Sequence, residues 1–270
     1  MKIKSRFNFI LASIVIGVFI TLVFSVSVTA TIKVEPSRYI VHTEPGARVT
    51  ESINVTNNSD QTAHLVANFY DWDADQDYKL KTHEPGTLDS SLDGYFRFNP
   101  RKFTLPAGET QTVRFTINIP EDGENKERRG VIFVKRSEDI SDDETGAKVV
   151  RQIGTTVYAI PKDLGYTMNI LESRVVRNET GQILGAFLTE NKGERHFRFD
   201  LKYTVISEEG KEVEQDKVEE KVLLPNTKRG VVFPLKNRFE SGEYQLNVEF
   251  TFPDTDKKLT ENVKFSVGDD

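Results

Sequence analysis

From Ile32 onward, apolar and polar residues alternate in short runs. Val113, Phe115, Ile117 and Ile119 are separated by Arg114, Thr116 and Asn118, and Pro120 closes the run. Phe197, Phe199, Leu201, Tyr203 and Val205 repeat the pattern, as do Tyr244, Leu246, Val248, Phe250 and Phe252 before Pro253. A two-residue period puts one side of a strand in a core and the other in water. Turn signals separate the runs, among them Asn57-Asn58-Ser59-Asp60, Pro106-Ala107-Gly108, Glu121-Asp122-Gly123 and Glu208-Glu209-Gly210. No later window carries an i, i+3, i+4 apolar stripe. Even the charged residues 212–222 fail, because Val213, Val218 and Val222 do not recur at helical spacing. The pattern predicts an all-β chain built from antiparallel sandwiches.

One boundary divides it. Strand-like Thr155–Ile160 meets Pro161-Lys162-Asp163, and a new strand begins near Tyr166. The expected units are residues 31–161 and 162–270, each close to the ~100 residues of an immunoglobulin-like sandwich. A hinge is expected over Pro161–Leu164. The second unit fits seven strands, near 166–177, 183–190, 197–207, 212–224, 229–235, 243–252 and 258–267. Tyr244, two residues before Leu246, has tyrosine-corner spacing; a plain inward aromatic is the alternative.

The first thirty residues follow other rules. Lys2, Lys4 and Arg6 precede an uncharged apolar stretch, and Val28-Thr29-Ala30 offers small residues where a signal peptidase cuts. Residues 1–30 read as a signal peptide cleaved after Ala30. The alternative is an uncleaved anchor, since about 20 apolar residues can span a bilayer. Either reading places the rest outside the cytoplasm: in the periplasm, or else at the cell surface or tethered to the membrane.

Composition narrows the chemistry. Lys and Arg total 36 against 42 Asp and Glu, a net charge of −6. The first thirty residues hold three of those cations and no acid, so the remainder carries −9. A nucleic-acid-binding surface is not expected. Cysteine is absent, which excludes disulfides, thiolate metal sites and cysteine nucleophiles. His42, His64, His83 and His196 lack ligand spacing, and no nucleophile–base motif or phosphate loop occurs. Asp71, Asp73, Asp75 and Asp77 have calcium-loop spacing, but Gln76 stands at the glycine position and Thr82 at the glutamate position. A solvated acidic turn is the expectation there. No enzyme, metal or cofactor is expected. Asn54, Asn57 and Asn178 open glycosylation-type triplets, and Glu138–Lys148 reads as an acidic loop.

Three segments in order carry a resemblance. Ile32-Lys33-Val34-Glu35-Pro36-Ser37-Arg38-Tyr39-Ile40-Val41 opens the first unit. Residues 98–115 follow, with Pro100, Leu105, Pro106, Gly108, Gln111, Val113 and Arg114, and then Glu127-Arg128-Arg129-Gly130-Val131-Ile132-Phe133-Val134. The arrangement resembles the amino-terminal domain of the PapD-like periplasmic pilus chaperones, and the chain looks like a divergent member. The resemblance implies a non-enzymatic chaperone or assembly factor whose partners are secreted, pilin-like subunits. Such a subunit lacks one strand, and the chaperone's last first-domain strand completes it by β-addition. It further implies Arg38 as the anchor for the subunit's terminal carboxylate. The donor strand would present Ala147, Val149, Arg151 and Ile153. Thr156 falls where the family carries a second cation, a lysine. An extracytoplasmic adhesion or scaffold protein on the same modules is the alternative.

Overall fold

The computed structural model describes residues 32–75, 78–137, 151–253 and 255–268. Those residues contain strands and turns and no α-helix. The expected signal segment, the acidic run 138–148, Asp77, Ala147 and Val149 lie outside them.

Ten strands build the first sandwich: β1 (Ile32–Glu35), β2 (Arg38–Thr43), β3 (Arg48–Asn57), β4 (Ala63–Ala74), β5 (Leu80–His83), β6 (Phe96–Asn99), β7 (Lys102–Leu105), β8 (Thr110–Asn118), β9 (Arg128–Arg136) and β10 (Gln152–Pro161). One sheet runs β1-β3-β8-β6. The other runs β2-β10-β9-β4-β5, with β7 also on β4. The chain changes sheets at the cis Glu35–Pro36 bond, between β1 and β2. The alternating positions meet between the sheets: Ile53, Val55, Leu65, Val113, Phe115, Ile117, Ile132 and Val157 are all essentially inaccessible. Phe96 stacks on Phe69 at 4.7 Å and packs on Phe98 and Phe115, so the phenylalanine-rich composition becomes one aromatic core.

Seven strands build the second: β11 (Met168–Arg177), β12 (Ile183–Asn191), β13 (Phe197–Ser207), β14 (Glu212–Leu223), β15 (Thr227–Pro234), β16 (Gly242–Thr251) and β17 (Lys258–Val267). The sheets run β11-β12-β15 and β14-β13-β16-β17. Phe187, Phe199, Leu201, Val205, Leu246 and Phe250 fill the space between them. The charged residues 212–222 form an edge strand, where alternate positions can all face water. Tyr244 meets both expectations: its hydroxyl donates to the carbonyl of Glu240 at 3.1 Å, and its ring stacks on Phe265 at 5.5 Å.

One sequence expectation needs correction. Asp71 is not in a solvated turn. It is fully buried on β4, where Oδ1 accepts from the Ser91 hydroxyl at 2.6 Å and Oδ2 from the Leu88 amide at 2.9 Å. Asp73 pairs with His83 across the β4–β5 hairpin at 3.3 Å. These carboxylates brace the chain between β4 and β6, and no cluster among the described residues can hold a metal. Asn57 is likewise sealed, its amide donating to the carbonyls of Gln61 and Leu105 at 2.7 and 2.9 Å, so it is no glycan acceptor in the folded chain.

Candidate functional site: an open strand edge beside an interdomain cleft

β10 is partnered unequally on its two sides. Toward β9 it is paired antiparallel from Gln152 to Ala159. Toward β2 it is paired, in parallel, only from Thr156 to Pro161. Backbone groups of a strand point alternately to its two sides. Because the Thr156 amide donates to Ser37 across that side, the N–H and C=O of Gly154 and Gln152 point the same way. Among the described residues, no strand pairs with them on that side. The Thr155 hydroxyl, donating to the Pro36 carbonyl at 2.6 Å, marks the end of the paired part.

The sequence candidates distribute themselves around this edge. Arg151 is exposed just before β10, while Ala147 and Val149 fall outside the described residues. Ile153 packs against the first core, so its side chain is used by this fold. Gly154 is constrained as well, since a Cβ there would stand 2.6 Å from the Ile132 carbonyl and from the Phe133 ring. Arg38 and Thr156 are Cα partners in the parallel ladder.

At that pair the edge runs into a cleft between the sandwiches. Arg38 Nη1 lies 3.0 Å from Glu220 Oε1, and Arg198 Nη1 lies 2.7 Å from the same oxygen. Arg198 Nη2 also donates to the Tyr158 hydroxyl at 3.3 Å. Arg198 on β13 opposes Val222 on β14, and Glu220 sits two residues along the same face, within diagonal reach. Burial opposes ionisation of Glu220, but hydrogen bonds and charge from Arg38 and Arg198 outweigh it and hold the carboxyl below the ordinary glutamate value. Thr156 brings no charge to this place, and the second cation on Glu220 is Arg198 of the other sandwich.

Behind the cleft the sandwiches are packed together. Glu127, 1% exposed, receives both the backbone amide and the ring Nδ1 of His196 on Oε2, at 2.6 and 2.7 Å. Tyr158 stacks on that ring at 4.0 Å, and burial pushes its phenol up. Trp72, Val131 and Ile160 of the first sandwich share an apolar cluster with Leu224 of the second. The β4–β5 hairpin reaches across too: Arg229 donates to the Ala74 carbonyl, and Tyr78 packs into the second core with its phenol pushed up by burial to about 12. The expected hinge at Pro161–Leu164 is therefore backed by an extensive buried joint.

Sequence reasoning named Arg38 and Thr156 but missed Arg198, Glu220, Glu127 with His196, and Tyr158. Only Glu127 carried a signal, as the acid of the Glu127-Arg128-Arg129 step. The others look like the polar or core positions of ordinary alternating strands.

No protein-family model and no curated protein sequence matches the chain. Among solved structures it is similar to a class 5 fimbrial chaperone, with 15% identity over 86% of this chain and 98% of that one and a TM-score of 0.48. It is similar to a complex of a chaperone and a tip adhesion subunit from the archaic chaperone-usher Csu pili of Acinetobacter baumannii (14% identity, 87% and 98% covered, TM-score 0.45). A Salmonella enterica chaperone solved with its pilin gives 14% identity, 88% and 97% coverage and a TM-score of 0.42.

Proposed function

We propose that this protein is a non-enzymatic chaperone or assembly factor that works outside the cytoplasm, in the periplasm. Its client is a secreted, pilus-type subunit, held by β-strand addition along β10. The observation that carries the reading is the half-paired state of β10, whose outward Gln152 and Gly154 backbone groups pair with no strand among the described residues up to the point where β2 begins. An unpaired edge is a liability in a protein that has no use for it. Here it lies beside a cleft with two arginines, which suits an extended partner whose chain end is a carboxylate. Strand addition draws mainly on backbone hydrogen bonds, so the use of Ile153 in this protein's own core does not oppose it.

The test is binding of a purified secreted subunit that aggregates alone. Gln152→Pro removes one outward donor from the open edge while leaving the β9 ladder, which uses the other side of the strand. It should weaken client binding strongly with little change in melting temperature. Arg38→Ala should cost about 2 kcal/mol or more of affinity where the cleft is desolvated by the client. Unchanged binding in both variants would favour a scaffold built from the same modules.

A further inference from the structure

Two of the carboxylates at the joint between the sandwiches, Glu127 and Glu220, differ in kind. Glu127 is 1% exposed and His196 4%, so removing either partner strands a buried polar group. Glu220 and Arg38 are 35% and 36% exposed, in the range where an ion pair contributes little and exchanges readily with solvent. Yet Glu220 is held by two guanidinium groups, one from each sandwich, that converge on a single oxygen. Arg198 is not saturated by it: its Nε–H is buried without an acceptor. The arrangement is an anion seat occupied by a ligand from the chain itself, open to water and weakly held.

We propose that Glu220 is a displaceable internal occupant of a carboxylate seat formed by Arg38 and Arg198. An incoming chain-terminal carboxylate replaces it, and Arg198 supplies the second cation that Thr156 cannot. This rests on the strand-addition reading for its biological ligand, but the seat itself is defined by Arg38, Arg198 and Glu220. Displacement has a definite consequence. Glu220 belongs to β14 and Arg38 to β2, so an arriving carboxylate exchanges a contact between the sandwiches for one with the client. The empty chaperone is thereby closed at its cleft, and only a partner that presents a free carboxyl end recovers both arginines. Anions without an attached extended strand gain no more than a surface ion pair there.

The probe is a fluorescein-labelled heptapeptide of alternating valine and threonine ending in a free carboxylate, with the same peptide ending in an amide as its control. Binding to the mature chain is measured by anisotropy, with thermal melting of every variant as the check on folding. Glu220→Gln should tighten the acid peptide about fivefold, as expected if the seat is free only about one-fifth of the time in the parent protein. It should leave the amide peptide unchanged. Adding Arg198→Gln to Glu220→Gln should abolish the preference for acid over amide. The proposal is overturned if Glu220→Gln gains no acid-selective binding, or if the gain survives loss of Arg198. A client that is lost with Gln152→Pro but indifferent to Glu220→Gln would refute the seat and leave strand addition standing. An acid-selective gain in a protein that binds no client would do the reverse.

Discussion

A single oxygen of Glu127 receives both the backbone amide and the ring of His196, a residue of the other sandwich. Its second oxygen stands 3.7 Å from Arg129, which also donates to the Trp72 carbonyl and lies over the Trp72 ring at 5.5 Å. One buried carboxylate thus gathers His196, just before β13, and Arg129 of β9, and Arg129 in turn holds the Trp72 carbonyl of β4.

Glu127→Ala should therefore destabilise the protein by about 3–5 kcal/mol, because it leaves the His196 amide and ring buried without their acceptor and takes the carboxylate charge from beside the buried Arg129 guanidinium. Urea unfolding should change from one transition to two as the sandwiches uncouple. Glu127→Gln keeps one acceptor and should cost less. A single unshifted transition in the alanine variant would mean that the apolar cluster around Tyr158 and Leu224 holds the joint unaided.

Gly130 follows Arg129 on β9 for a steric reason. A Cβ there would stand 2.2 Å from both Cε2 and Cζ of Phe69, whose ring is pinned against Phe96. Gly130→Ala should lower stability by about 1–3 kcal/mol, read from the urea midpoint. Gly230→Ala on β15 meets nothing within 4 Å and should stay within about 0.5 kcal/mol of the parent.

How far the sequence could be read follows from the range of each contact. The runs in β8, β13 and β16 were legible because a two-residue period is written locally, and every apolar position in them from Val113 to Ile117 and from Phe197 to Val205 is buried. Arg38 and Thr156 were reached only through the family resemblance, and that they are partners in one ladder is written in the pairing of β2 with β10 and not in either segment alone. The joint was not. Glu127 and His196 are 69 residues apart, and Arg38 and Glu220 are 182 apart. Each is an unremarkable polar residue in its own strand until the sandwiches are docked. The acidic series from Asp71 misled for a related reason: a strand places alternate carboxylates on one side, and only the packed connection between β5 and β6 reveals that Asp71 is spent on Leu88 and Ser91.

That assignment of Asp71 has its own test. Asp71→Asn replaces an acceptor-only group, engaged by two buried donors, with one that retains a single acceptor. It should cost about 1.5–3 kcal/mol, the scale of a hydrogen bond to a charged group. Millimolar calcium should leave the melting temperature of the parent protein unchanged. A calcium-dependent rise that disappears in Asp71→Asn would restore the acidic series as a cation site.

The cleft pair should announce itself through pH. Glu220 is held below its ordinary value by Arg38 and Arg198, against the opposing effect of burial. The folded state then binds fewer protons at this site than the unfolded chain does. Its contribution to stability is complete above the unfolded value and is lost as pH falls through the folded one. With Glu220 35% exposed, solvent screening limits the contribution to at most about 1 kcal/mol. The comparison to make is the melting-temperature difference between the parent and Glu220→Gln. It should be about 2–4 °C at neutral pH, shrink as the solution is acidified below the ordinary glutamate range, and vanish once Glu220 is protonated in both states. Asp89 and Asp216 are also held low, by Lys126 and Lys236, but they titrate alike in both proteins and cancel in the difference. High salt at neutral pH should narrow the gap as well, since a third-exposed pair is screened. A difference that persists unchanged to low pH would mean that Glu220 supports the joint by packing along β14 and that its charge is idle.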